Sequence, residues 1–189
     1  MEVIRPRRTS PKVLARHEAG HCVAAIAMGW RPRYVRILDA SDREGETAYY
    51  ARHSISMYHA GERLRRLVIL FAGVEAERRV SHARVFTTLT DAGAGDLDRI
   101  CSILDESYGP WADAPPPFQQ MRDREQERAR TVARDVVRVY WPAVEAVAES
   151  LVQAGRLSGK TLFKVATSAT PSLARAFRAA RTPSPSRPR

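Results

Sequence analysis

Hydrophobic residues recur with helical spacing over most of the chain. Between Ser56 and Arg79, for example, Leu67, Leu70 and Val74 fall on one helix face. The full pattern predicts helices at about 11–28, 56–79, 95–108, 118–154 and 158–168, the fourth bent near Pro142.

Two short segments instead alternate between apolar and polar residues, which is the spacing of strands. They span 33–39 and 46–52, and the polar residues 40–45 between them are typical of a turn. We therefore expect a mainly α fold of the α+β class, with one small β-sheet or hairpin.

The chain of 189 residues is long enough for one domain with flanking tails. Residues 1–10 are basic and lack a core pattern, so we expect them to be disordered, followed by a domain at 11–168. Residues 169–189 are rich in Arg, Pro and Ser, and we expect a disordered tail there as well.

The formal net charge of +10 raises the question of a nucleic-acid partner. The sequence lacks interleaved aromatic and basic patches, a helix-turn-helix pattern and Cys/His fingers, so nucleic-acid binding is not expected. No apolar run has membrane-spanning length and no signal-type segment follows the N-terminus, so we expect a cytoplasmic protein. Cys22 and Cys101 are too few for a disulfide framework and are expected to be reduced.

The strongest chemical signal is His17-Glu18-Ala19-Gly20-His21, an HExxH pattern within the first predicted helix. His17 and His21 lie on one helix face, where both imidazoles can hold one cation, and Glu18 can act as a base on a water. The surrounding residues are apolar, so the helix should be largely buried, and two His and a Glu are costly there unless something satisfies them. The pattern predicts a Zn²⁺ site, and the alternative is a hydrogen-bonded structural cluster.

Catalytic zinc usually takes a third protein ligand, and the sequence offers several. No His follows at the spacing of metzincins, while a gluzincin arrangement would favour Glu75 or Glu77. Spacing alone does not choose among the candidates, which are His53, His59, His82, Glu75, Glu77, Asp91, Asp96 and Asp98.

Three blocks in order resemble the peptidase domain of the FtsH-type ATP-dependent zinc proteases. They are 15–21 (Ala-Arg-His-Glu-Ala-Gly-His), 70–77 (Leu-Phe-Ala-Gly-Val-Glu-Ala-Glu) and 88–97, and residues 144–157 resemble that family's closing helix. The resemblance covers about 11–166 and implies that Asp96 is the third zinc ligand. The 88–97 block departs from the family at its glycine positions, which leaves Asp91 as a second candidate, and Asp96 could also simply cap a helix.

The resemblance implies a zinc-dependent endopeptidase acting on unfolded or flexible polypeptides, with Glu18 as the base. The family's peptidase domain normally follows an ATPase module and membrane anchors. Neither has a counterpart in this chain, so we expect a stand-alone domain, served by a separate ATPase or assembled as a homo-oligomer.

The second predicted strand is the candidate substrate site, because the resemblance suggests that its edge binds an extended peptide. Thr47, Ala48 and Tyr49 would contact the substrate, with Tyr50 flanking the groove; the alternative for both tyrosines is that they are ordinary strand residues. Glu77 is a candidate to orient a ligand histidine, or else an exposed helix glutamate. The alternative function is that of a non-catalytic zinc-binding relative that acts as a partner-binding or regulatory module.

Overall fold

The computed structural model describes residues 10–37, 45–50, 60–81 and 94–181. The predicted fold class is confirmed, because the described chain is mainly helical with one small antiparallel sheet. The elements in order are α1 (Pro11–Ala27), β1 (Arg31–Ile37), β2 (Gly45–Tyr50), α2 (Ala60–Ser81), α3 (Ala94–Tyr108), α4 (Pro116–Val139), α5 (Trp141–Ala154), β3 (Arg156–Ser158), α6 (Gly159–Ala169) and α7 (Pro171–Arg181).

Helix α1 forms the centre of the domain. Ser10 caps its N-terminus by accepting a hydrogen bond from the Val13 amide at 3.3 Å, and Pro11 occupies the first turn. Every residue from 17 to 27 is buried, so this helix has no solvent-facing side over most of its length. It packs against α2, α5, α7 and the sheet.

The sheet has the strand order β2-β1-β3. Strand β1 pairs antiparallel with β2, where Val35 faces Thr47, and with β3, where Val35 faces Leu157. Strand β3 was not predicted because three residues are too few to show an alternating pattern. Its position in the sheet ties the C-terminal helices to the strands that lie over α1.

Most predicted elements are present, with shifted ends. The predicted helix at 118–154 is two helices, which meet at Tyr140 because Pro142 has no amide hydrogen to continue the backbone ladder. Ser158 caps α6 by accepting a hydrogen bond from the Thr161 amide. The predictions for 1–9, 38–44, 51–59, 82–93 and 182–189 lie outside the described residues.

The expectation of a disordered tail from residue 169 is wrong for 171–181, which form helix α7. Leu173 and Phe177 are one helical turn apart and both are buried, and the Phe177 ring contacts the Phe163 ring edge-on at 5.0 Å. Arg181 donates a hydrogen bond to the Gly29 carbonyl at 3.3 Å, which holds α7 against the end of α1. The prediction failed because the high arginine content of this segment is typical of a disordered tail, although α7 is an amphipathic helix whose apolar face packs in the core.

Within the described ranges, no helix is both long enough and apolar enough to cross a membrane.

We predict that Phe177→Ala lowers the free energy of unfolding by about 3 kcal/mol, because it removes a buried aromatic ring and leaves a cavity. Arg175→Ala, an exposed position on the same helix, is the matched control and should change it by less than about 0.5 kcal/mol. Urea denaturation followed by circular dichroism measures both values. Equal stability of the two variants would contradict the docking of α7.

Candidate metal centre

Three side chains from two helices converge in the interior of the domain. His17 and His21 lie one turn apart on α1, and Asp96 lies in the first turn of α3. The Nε2 atoms of both histidines lie 3.0 Å from Oδ2 of Asp96, and the imidazole rings meet edge-on at 4.7 Å. All three residues are buried and their ligand atoms lie within 4.8 Å of one another, so this group could hold a metal ion.

The second nitrogen of each imidazole has a partner that fixes the ring. Nδ1 of His21 lies 2.8 Å from the Ile69 carbonyl, which can only accept, so Nδ1 carries the proton. Nδ1 of His17 donates in the same way to Oε2 of Glu77 at 3.0 Å. Both Nε2 atoms therefore turn toward Asp96, where each would offer a lone pair to a metal that displaces any proton held there, and the predicted orienting role of Glu77 fits this contact.

Helix α2 supplies this support from one of its faces. The Ile69 carbonyl, Gly73 and Glu77 follow one another at intervals of four residues. A Cβ atom at Gly73 would lie 2.9 Å from Nε2 of His17 and would collide with the His21 ring. Gly73 is therefore required for both imidazoles to fit between α1 and α2.

The charges of the site favour a bound cation. Glu18, Glu77 and Asp96 are three buried carboxylates around two imidazoles, and burying them without a positive charge would be costly. Burial alone would lower the pKa of His17, but hydrogen bonds to Asp96 and Glu77 outweigh it and raise that pKa to about 10. Burial would raise the pKa of Asp96, yet His21 and His17 hold it well below its usual value.

The donor set decides which cations fit. Two imidazole nitrogens and one carboxylate oxygen are the ligand types of catalytic zinc sites, whereas calcium and magnesium prefer oxygen ligands alone. The residues present therefore fit a zinc ion, with His17, His21 and Asp96 as its protein ligands.

Glu18 lies beside the ligands but outside the cluster. Its carboxylate is buried, and Oε2 accepts a hydrogen bond from the Thr47 hydroxyl at 2.5 Å. Thr47 belongs to β2, so this bond fixes the strand over the HExxH helix. The hydrogen bond between Thr47 and Glu18 was not predicted. Nothing in the sequence shows which residue of β2 lies over which residue of α1.

The predicted substrate residues Thr47, Ala48 and Tyr49 lie in sequence along β2. Tyr49 packs edge-on against the Trp30 ring at 6.0 Å. Burial raises the pKa of Tyr49 well above its usual value, and Cys22 and Glu18 add to the effect, so the hydroxyl remains a hydrogen-bond donor. In the part of the chain that the structure describes, β2 pairs with β1 alone, which leaves its second edge open.

Other candidate ligands lie elsewhere or outside the described residues. Glu75 is buried, but it forms ion pairs with Arg78, Arg130 and Arg134. Asp98 is exposed on α3. Asp91, His53, His59 and His82 lie outside the described ranges.

The two cysteines are both free. Cys22 is buried on α1, where burial raises the pKa of its thiol, and its sulfur lies 3.7 Å from the Thr47 hydroxyl oxygen. Cys101 is partly buried on α3.

Comparison with known proteins gives no match, either to a protein-family model or to a curated protein. The FtsH-type resemblance therefore rests on the motifs of the chain itself.

We predict that His21→Ala and Asp96→Ala each abolish stoichiometric zinc binding, because each removes one of three protein ligands. Asp98→Ala removes the same charge two residues along α3 and should keep the zinc. Metal content of the purified variants, measured by mass spectrometry, checks this. Full zinc occupancy in Asp96→Ala would show that another residue is the third ligand.

A second variant tests the support of His17 by Glu77. Glu77→Gln should weaken zinc affinity by about 10- to 100-fold, because the neutral amide no longer holds the His17 imidazole as a carboxylate does. Titration against a chromophoric zinc chelator measures the affinity. Glu75→Gln is the matched control on the same helix, and an equal loss in both variants would argue for a general effect on folding.

Proposed function

We propose that the protein is a zinc-dependent endopeptidase that hydrolyses unfolded or flexible polypeptides. The observation that carries this proposal is the position of Glu18, a carboxylate beside the three-ligand centre that is not itself part of the ligand cluster. A base in this position is what metal-assisted hydrolysis requires.

Each step of hydrolysis has a residue suited to it. A bound zinc ion would supply Lewis acidity, which polarises the scissile carbonyl and acidifies water. Glu18 would accept a proton from the attacking water and pass it to the leaving amine. The Thr47 hydroxyl would hold one carboxylate oxygen of Glu18 in place, and Gly45 of the same strand leaves room for the other, since a Cβ atom there would collide with it.

Strand β2 would bind the substrate. An extended polypeptide can add to the open edge of β2 through backbone hydrogen bonds, which are largely independent of sequence. Thr47, Ala48 and Tyr49 would then lie beside the scissile bond, with the Tyr49 hydroxyl as a donor. Only an extended chain can bind in this way, which supports unfolded or flexible polypeptides as substrates.

The FtsH-type resemblance supports the same activity and suggests the partners. An ATPase that unfolds proteins would deliver substrates to this domain, or the domain would act as a homo-oligomer on substrates that are already unfolded.

A second candidate is a non-catalytic zinc module that binds a partner protein. The near-complete burial of Glu18 favours it, since Glu18 is only 5 % exposed and its carboxylate is engaged by Thr47. In that case Glu18 would serve to fix β2 on α1.

We predict that Glu18→Gln retains zinc and lowers kcat by about 10²- to 10⁴-fold, because glutamine keeps the size of the side chain but accepts no proton. Casein and a quenched fluorescent peptide library serve as substrates, and zinc content and thermal stability are measured in parallel. Wild-type protein that holds zinc but cleaves neither substrate, alone or with an added ATPase, would favour the non-catalytic candidate.

A further inference from the structure

Two neighbouring side chains each carry a buried hydrogen-bond donor that has no acceptor among the residues that the structure describes. Trp30 follows α1 and is 5 % exposed, and its buried Nε1–H is unpaired. The Arg66 guanidinium carbon lies 5.5 Å from the centre of the Trp30 ring, and the buried Nε–H of Arg66 is also unpaired. Unsatisfied buried donors are rare in folded proteins, and each one calls for an explanation.

Arg66 differs in this respect from the neighbouring arginines of α2. Arg63 donates to the carboxylate of Glu125 at 2.8 Å, and Arg65 forms an ion pair with Glu62. Arg66 is partly buried against Trp30, and no carboxylate of the described chain pairs with it. Its positive charge is therefore left for a group from outside these residues.

Two elements place this pair beside the metal centre. On α2, Arg66 lies one turn before Ile69, whose carbonyl bonds His21. On β2, Tyr49 contacts Trp30 and lies on the same strand face as Thr47, about 7 Å from it by strand geometry. Thr47 bonds Glu18, and the Trp30 ring lies a further 6.0 Å beyond the Tyr49 ring, so the pair lies within about four residues of extended chain of the candidate catalytic base.

The chemistry of the pair selects its ligand. The Arg guanidinium and the Trp indole are donors only, so the ligand must be an acceptor. The planar guanidinium matches a carboxylate, and a charge-assisted bond offsets the cost of burial. We infer that Arg66 and Trp30 form a subsite for a substrate carboxylate, either an Asp or Glu side chain or the C-terminal carboxylate, within about four residues of the scissile bond.

This inference rests on the proposed peptidase function and specifies its substrates. The test uses quenched fluorescent peptides in matched sets, with Asp or Asn scanned through the positions around the cleaved bond. Each peptide is made with a free and with an amidated C-terminus. The wild-type protein should prefer either the Asp peptides or the free C-termini, and the arm with the preference identifies the source of the carboxylate.

Arg66→Gln should lower kcat/KM for the preferred peptide by about tenfold or more, because a charge-assisted hydrogen bond is lost, and should leave the neutral peptide unchanged. Trp30→Phe keeps the ring, removes the N–H and should show a smaller loss. Arg134→Gln is the control, because it removes the same charge from α4. Its partner Glu75 on α2 keeps its ion pairs with Arg78 and Arg130, so this variant should leave the preference intact. Zinc content and thermal stability are measured for every variant, and Arg66→Lys, which keeps the charge without the planar fork, replaces Arg66→Gln if that variant does not fold.

Binding separates this inference from the proposed function. The same peptides are titrated calorimetrically into zinc-loaded Glu18→Gln protein, where no cleavage is needed. Tighter binding of the carboxylate peptides that disappears with Arg66→Gln would support the subsite even if the wild type cleaves nothing. Cleavage without any preference for a carboxylate, or a preference that survives in Arg66→Gln, would overturn the subsite and leave the peptidase function standing.

Discussion

Burying His17, Glu18 and His21 inside α1 costs free energy, and the elements packed around this helix are positioned to offset that cost. Helix α1 is covered on all sides at this level, so none of the three side chains can be satisfied by bulk water. Three neighbouring elements satisfy them: α2 accepts hydrogen bonds from both imidazole Nδ1 atoms, α3 places Asp96 against both Nε2 atoms, and β2 donates to Glu18. The candidate metal centre is thus also the point at which these elements are fixed to one another.

Close helix packing makes this arrangement possible. Gly20, inside the HExxH pattern, faces α2, and a Cβ atom there would lie 2.8 Å from the Cβ of Ala76. Gly73 on α2 likewise leaves space for the imidazoles, because a Cβ atom there would collide with the His21 ring. Since α1 and α2 approach this closely only through such positions, the small residues of both motifs bring the donors and their acceptors into range.

The sequence predicted most helices and strands, because hydrophobic spacing is a local signal, and the HExxH pattern placed His17 and His21 on one face of α1. Asp96 could be chosen only through the family resemblance, since its distance from α1 depends on tertiary packing. Glu75 and Glu77 illustrate the difficulty: two residues apart, they point to different sides of α2, one toward arginines and the other toward His17. The Ile69 carbonyl carries no side-chain signal, and α7 was missed because its arginines concealed the Leu173 and Phe177 face.

Glu18, the carboxylate outside the candidate ligand group, bears on whether the site is structural or catalytic. A structural zinc site is usually closed by four protein ligands, whereas a catalytic site keeps one position for water or substrate. Among the described residues, three ligands converge, and Glu18, the neighbouring carboxylate, is held by Thr47 outside the cluster. If Glu18 served only to complete a closed site, the Thr47 bond would oppose that role, because it draws the carboxylate toward β2. The same bond would be useful in a hydrolase, because it would fix the base next to β2, whose second edge has no partner strand among the described residues.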